Sequence, residues 1–212
     1  MDILEIIKEL FKKNIFDKYD IDTIVVFFLY EIRFVLGFWI FMLLLRIIDS
    51  LFFNISLNFR YGLYSLKSKR SNHFFAWIMY PFLHANWRHL KNNSIPFLIL
   101  GSIIKFVGNK ELLICTVFIL TISTLSIYFL EKRVGATIGI SGLVTGYFGF
   151  ILLNGYINSN FLNVSLSLIM LTFYQRIIYI SLTNQEKNSN IGHFSGFISG
   201  LLAALILKLY IN

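Results

Sequence analysis

The chain has 212 residues, of which 57% are apolar and only 14% carry a charge, and its mean hydropathy is +0.70. Because a soluble domain is about 25% charged, this composition excludes a soluble enzyme, a disordered segment and, despite the formal net charge of +8, a nucleic-acid-binding module. The basic residues lie between apolar runs, where they are expected to meet lipid headgroups, so the sequence predicts an integral membrane protein.

The predicted elements are helices throughout. Residues 1–23 form an amphipathic segment, because apolar residues recur at helical spacing opposite lysines. A helix that crosses a hydrocarbon core of about 30 Å needs about 20 apolar residues. We therefore expect an all-α, polytopic membrane domain over residues 24–212. Its six candidate spans lie within Ile24–Ile48, Asn86–Val107, Leu112–Leu130, Ser141–Asn154, Phe161–Leu182 and His193–Ile211.

Two of the predicted spans are unusual for lipid-embedded helices. The fourth is apolar only from Ser141 to about Leu153, which gives about 20 Å of helix and falls short of the bilayer thickness. The second is polar over its first half, from Asn86 to Ser94. A polar half-helix at membrane depth must face protein or a water-filled cavity. Both features indicate a wet pocket that opens to one side of the membrane.

The first candidate for chemistry is Ser141, which lies between Gly139 and Gly142 where a loop becomes a helix. At a helix N-terminus its hydroxyl would lie beside free backbone N–H groups that suit an oxyanion. The alternative is an ordinary serine N-cap with small residues for packing.

The second candidate is His193 at the start of the last span. Small residues follow it at every fourth position, and the fourth span has a similar set. If the two sets pack on each other, Ser141 and His193 come within hydrogen-bond reach, with His193 as general base. The alternative is a histidine at the membrane interface. The two sets are Gly192, Gly196, Gly200 and Ala204, and Gly142, Gly146 and Gly149.

The third candidate is the pair His89 and Asn93, which are spaced to share one helix face. Both side chains can donate hydrogen bonds to a developing negative charge. Asn93 could equally join two helices by a hydrogen bond. His84 lies off this face and is expected to end the preceding loop.

Taken in order, the polar segment through His89 and Asn93, the motif around Ser141 and the Gly-His motif at His193 resemble the rhomboid intramembrane serine proteases. The resemblance covers about residues 24–211 and implies a serine endopeptidase that cleaves substrates in or beside their transmembrane helices. It implies Ser141 as nucleophile and His193 as base, with no acidic third member. His89, Asn93 and the backbone N–H of Ser141 would form the oxyanion hole, supported by Gly139, Gly142 and Gly196.

The resemblance also implies a topology and a set of partners. The termini would be cytoplasmic, the pocket would open outside, and about residues 49–88 would form a partly embedded first outer loop. Residues 183–190 would form a lid. The expected partners are the lipid bilayer and membrane proteins with a transmembrane helix, in a bacterial plasma membrane. No cofactor, metal or nucleic acid is expected. The distribution of Lys and Arg does not decide the orientation by the positive-inside rule.

The chain departs from the family pattern at two places. Many relatives have a Trp-Arg pair in the first outer loop, where this chain, from Asn54 to Asn86, has Arg60 and Arg70 but no such pair. Many also have an aromatic residue four positions after the serine, beneath the histidine ring. Here that position is Thr145, and Tyr147 follows two residues later.

Other functions remain possible from the residues alone. A catalytically silent rhomboid-like protein would bind membrane clients without cleaving them, but every matched catalytic position is present. A small transporter would need an internal repeat or an intramembrane acidic pair. Glu31 and Arg33 in the first span are two residues apart and cannot face each other. A metalloprotease of the common type would need the motif His-Glu-x-x-His, which the sequence lacks. A disulfide or a cysteine-based structural zinc site would need more cysteines than the single Cys115.

Overall fold

Helices make up most of the chain that the computed structural model describes, which comprises residues 21–51, 57–68, 70, 74–158, 164–172 and 190–211. Within these ranges the only β-type pairing is an isolated bridge between Leu63 and Thr137. The predicted all-α class is confirmed. In chain order the helices are α1 (Ile21–Glu31), α2 (Arg33–Leu51), α3 (Leu57–Tyr61), α4 (Phe74–Met79), a 3₁₀ turn (Tyr80–Phe82), α5 (Trp87–Val107), α6 (Asn109–Leu130), α7 (Ser141–Ile157), α8 (residues 164–172) and α9 (Asn190–Ile211).

Three of the described helices are long and apolar enough to cross a membrane: α2, α6 and the Ile191–Leu209 part of α9. The protein is therefore an integral membrane protein. The count of six spans stays a prediction, because the fifth is described only at residues 164–172. The predicted amphipathic segment up to residue 20 and the predicted lid up to residue 189 lie outside the described residues.

The first predicted span consists of α1 and α2, which meet at the buried Ile32. The helical hydrogen bonds continue across this residue, since its N–H donates to the Phe28 carbonyl at 3.1 Å and its carbonyl accepts from the Leu36 N–H at 2.9 Å. Helix α2 continues to Leu51, beyond the predicted end at residue 48. The Glu31 carboxylate forms a 2.6 Å ion pair with the Lys105 ammonium of α5, while the Arg33 guanidinium donates a hydrogen bond to the Tyr30 carbonyl. Glu31 thus pairs with a residue 74 positions away in the sequence, which no local pattern predicts.

The fourth predicted span is longer than the sequence indicated. Helix α7 continues past Asn154 to Ile157, which gives about 25 Å of helix. The reason is local, since the Asn158 side chain donates a 2.7 Å hydrogen bond to Asn154 and so satisfies a buried polar group. The helix is still shorter than the hydrocarbon thickness of about 30 Å.

Helices α7 and α9 pack backbone to backbone through glycines, as the small-residue spacing predicted. A methyl group on Gly196 would overlap the Gly142 carbonyl, and one on Gly200 would overlap the Gly146 carbonyl. The opposite side of α7 packs against α5 and α6, so most of its side chains are buried. This central position holds the start of α7 rigidly beside the start of α9.

The predicted first outer loop packs against the linker between α6 and α7. Leu63 and Thr137 exchange two backbone hydrogen bonds of 3.0 and 2.8 Å, and Ser65 donates to the Arg133 carbonyl at 3.1 Å. In place of a Trp-Arg pair, the Arg70 guanidinium lies 3.4 Å from the centroid of the Phe59 ring. The loop thereby supports the linker that leads into α7.

Candidate active site

Ser141 is the first residue of α7, and the preceding backbone turns sharply to present it. Gly139 has φ of +103°, in the left-handed region that favours glycine, and its N–H donates a 2.8 Å hydrogen bond to the Tyr80 carbonyl. A methyl group there would lie 3.0 Å from the His89 ring. The N-cap position belongs to Ile140, which makes no side-chain cap. Ser141 is therefore not an ordinary N-cap, and its hydroxyl is available for another contact.

That contact is with His193 in the first turn of α9. The His193 Nε2 atom and the Ser141 Oγ atom lie 2.8 Å apart. The other ring nitrogen, Nδ1, is buried and has no hydrogen-bond partner among the residues that the structure describes. Within this part of the chain the arrangement is thus a pair and not a triad. A neutral His193 with its proton on Nδ1 could accept the hydroxyl proton at Nε2.

Thr145 holds the backbone of His193 in place of the aromatic contact common in the family. Its hydroxyl lies 2.9 Å from the Gly142 carbonyl and 3.0 Å from the His193 carbonyl, and so links α7 to α9. Tyr147 faces the other side of α7, where its hydroxyl lies 2.6 Å from that of Thr116 and its ring stacks near Phe97. The departure at residue 145 therefore replaces ring packing with a hydrogen bond to the histidine backbone.

His89 and Asn93 lie one helical turn apart on α5 and face the turn at Gly139. A methyl group on Gly139 would lie 3.1 Å from His89 Nε2 and 3.4 Å from Asn93 Nδ2. The Asn93 side chain is buried, and its Nδ2 has no hydrogen-bond partner in the described chain. Asn86 caps the helix by accepting from the His89 N–H at 2.8 Å. Both side chains are thus held by the rigid start of α5, with donors directed at the serine loop.

His84 lies in the loop ahead of α5, as the sequence predicted, but it also contacts the site. Its ring packs edge-on against the His89 ring at a centroid distance of 5.0 Å, and its Nδ1 lies 3.1 Å from the Phe82 carbonyl. Burial, followed by repulsion from His89, lowers the pKa of His84 to about 4. Sequence reasoning missed this contact because a spacing of five residues places His84 off the His89 face.

All four candidate residues line one cavity of about 570 Å³. The cavity matches the wet pocket that the short fourth helix and the polar start of the second predicted. Arg133, which sequence analysis did not single out, also lines it. The described residues include no group of His, Cys, Asp and Glu side chains that could hold a metal ion. The polar lining includes Asn86, His89, Asn92, Asn93, Arg133, Thr137, Ser141, Thr145 and His193.

Comparison with known proteins places the chain in a family. The family model of the Rhomboid domain matches residues 71–210. Uncharacterised proteins of Mycobacterium bovis and Mycobacterium tuberculosis are 30% identical over 140 residues, which cover 62% of this chain and 58% of the relative. One of Mycobacterium leprae is 30% identical over 136 residues, 60% of this chain and 54% of the relative. The chain thus spans little more than half the length of these curated relatives. Since the family model covers most of the chain, including Ser141 and His193, the chain belongs to the rhomboid family.

Proposed function

We propose that the protein is an intramembrane serine endopeptidase that hydrolyses peptide bonds in or next to transmembrane segments of membrane proteins. The observation that carries this proposal is the 2.8 Å contact between Ser141 Oγ and His193 Nε2, inside a cavity with a partly polar lining within an apolar helix bundle. A general base hydrogen-bonded to a serine is the arrangement that nucleophilic acyl transfer requires.

The proposed reaction begins with proton transfer from Ser141 to His193. The serine oxygen attacks the scissile carbonyl, and the C=O becomes an oxyanion held by Asn93, His89 and the Ser141 backbone N–H. His193 gives its proton to the leaving amine as the C–N bond breaks, which leaves an acyl-enzyme. Water in the cavity then loses a proton to His193 and attacks the ester, so that the carboxylic acid leaves and Ser141 regains its proton.

The short α7 and the polar start of α5 supply what this reaction needs in a membrane. We propose that the start of α7 lies below a membrane surface, with the cavity beside it as the route by which water reaches that depth; the cavity at Ser141 supports this. A substrate helix must unwind before attack, since a continuous helix keeps its carbonyls in internal hydrogen bonds. We therefore propose cleavage near small or helix-weakening residues.

The proposed location is a bacterial plasma membrane with cytoplasmic termini and a cavity that opens outside. The mycobacterial relatives support a bacterial setting. The partners are then the lipid bilayer and membrane protein substrates with a transmembrane helix.

A serine-reactive fluorophosphonate probe tests the proposal directly. Purified protein in detergent is labelled as wild type, Ser141→Ala and His193→Ala, with circular dichroism to show that all three keep their helices. We expect labelling of the wild type alone, because only a serine activated by a histidine reacts quickly. Absence of labelling in folded wild type would contradict the protease proposal and favour a catalytically silent client-binding protein.

A further inference from the structure

Exposed cationic side chains lie on the three segments that border the cavity: the first turns of α5, the predicted first outer loop and the linker before α7. The loop is attached to this linker through the Leu63–Thr137 bridge, and Thr137 itself lines the cavity. The exposed cations are Arg60, Lys67, Arg88, Lys91 and Lys132.

No carboxylate neutralises these five cations in the part of the chain that the structure describes. The sequence has no Asp or Glu from residue 50 to residue 110. Among the described residues, the acidic side chains that border these segments in sequence are Asp49 and Glu131, and both are engaged elsewhere. Asp49 pairs with Arg46 at 2.5 Å and accepts from the Leu57 N–H at 2.7 Å. Glu131 is only 5% exposed and pairs with Arg133 at 3.4 Å.

In the proposed orientation, the positive-inside bias does not account for this cationic rim, the five exposed cations beside the cavity. Lys and Arg in short loops are normally enriched on the cytoplasmic side. If the cavity opens to the outside, the rim lies at the exterior end of the bundle, where Lys and Arg are normally less frequent. The three segments that carry the rim also contribute lining residues to the cavity that holds Ser141. A positive potential around a cleft attracts anionic partners and raises their rate of association.

We infer that the cationic rim selects substrates whose exterior flank, just outside the transmembrane helix, carries several carboxylates. This inference rests on the proposed proteolysis and specifies the substrate class for the same site. Attraction at the rim acts on the encounter and on binding, so it lowers KM and leaves the chemical step at Ser141 unchanged. It weakens as salt shortens the screening length from about 10 Å at 0.1 M to about 3 Å at 1 M.

The test uses synthetic peptides with one apolar helix, a glycine-containing break near its outer end and an exterior flank of either glutamates or lysines. Protein and peptide are combined in phosphatidylcholine bicelles. We expect wild type to cleave the glutamate peptide with a kcat/KM about tenfold higher, mostly through KM, and less so at high salt. Arg88→Glu/Lys91→Glu should reverse this preference. The matched control, Lys110→Glu/Lys208→Glu, changes two exposed lysines at the opposite helix ends and should keep it.

Binding to a Ser141→Ala protein separates this inference from the proposed proteolysis. Fluorescence anisotropy of labelled peptides should show the same charge preference without any cleavage. If Ser141→Ala prefers glutamate flanks while wild type cleaves nothing, the rim inference stands and the protease proposal fails. Equal binding of both peptides would overturn the inference. It would also be overturned if charge reversal altered binding only in bilayers with anionic phosphatidylglycerol, because the rim would then contact lipid headgroups.

Discussion

The buried amide of Asn93 is the most informative single side chain after the serine and histidine. Its Nδ2 has no hydrogen-bond partner in the described chain, although an unpaired buried donor costs about 1–3 kcal/mol. The donor faces the turn at Gly139, next to the nucleophile. An unpaired N–H donor at this position can donate a hydrogen bond to the oxyanion, whose charge forms only during the reaction.

Replacing Asn93 tests this role. Asn93→Ala should lower kcat by about 10²–10³, the usual effect of losing one oxyanion donor, with little change in thermal stability. The measurement is cleavage of a transmembrane substrate in detergent. Ser94→Ala is the matched control, because it removes a side-chain hydrogen bond to the Leu90 carbonyl in the same helix without touching the cavity. An unchanged kcat with a lower Tm would reassign Asn93 to helix–helix packing.

The buried His84 predicts a dependence of stability on pH. Its pKa is about 4 in the folded protein and about 6.5 when unfolded, so below pH 6.5 the unfolded chain binds a proton that the folded one does not. The free energy of unfolding should therefore fall between pH 6.5 and about pH 4, by up to about 3 kcal/mol.

Denaturant unfolding in detergent micelles at a series of pH values measures this effect. The control is His84→Gln, which does not titrate. The difference in stability between wild type and His84→Gln should change over the stated range. A difference that stays constant with pH would show that His84 gains its proton as easily in the folded protein as in the unfolded chain.

At the scale of elements, the glycine contacts between α7 and α9 bring Ser141 and His193 together. Their spacing in the sequence was sufficient to predict that the two helices meet. It was not sufficient to predict the ion pair between Glu31 and Lys105, because the two residues lie on different helices, 74 positions apart. It also missed the last turn of α7, which depends on the Asn158 side chain.

Two glycine substitutions test the importance of this packing. Gly200→Ala places a methyl group against the Gly146 backbone, which cannot rotate away, so it should destabilise the protein by about 1–3 kcal/mol. It should also reduce labelling of Ser141 by displacing His193. Gly37→Ala on α2 meets nothing within 4 Å and should be neutral or stabilising by up to about 1 kcal/mol. Thermal unfolding of both variants checks this, and equal Tm values would contradict close packing at Gly200.

At the scale of the whole molecule, the orientation in the membrane can be read from single cysteines. The native Cys115 is fully buried and should not react with a membrane-impermeant maleimide. In intact cells, Lys67→Cys should be labelled, since it is exposed on the loop beside the cavity. Lys110→Cys at the opposite end should react only after permeabilisation. The reverse pattern would contradict a cavity that opens outside, and wild type serves as the blank.

The sequence by itself determined that the chain lies in a lipid bilayer, that it is helical, and which residues are candidates for the site. The apolar content determines the lipid environment and the helical class, since only helices or closed barrels satisfy their backbone hydrogen bonds inside lipid. Short motifs with fixed spacing indicate the candidate residues, as for His89 and Asn93 on one helix face.

Only the tertiary structure decided how these residues meet. The contact between Ser141 and His193 joins residues 52 positions apart and depends on α7 and α9 packing glycine to glycine. The substitution of a Thr145 hydrogen bond for an aromatic contact, the packing of His84 on His89, and Arg133 in the cavity wall likewise join distant segments. Local sequence periodicity carries no information about such contacts, because their partners are chosen by how whole helices pack against one another.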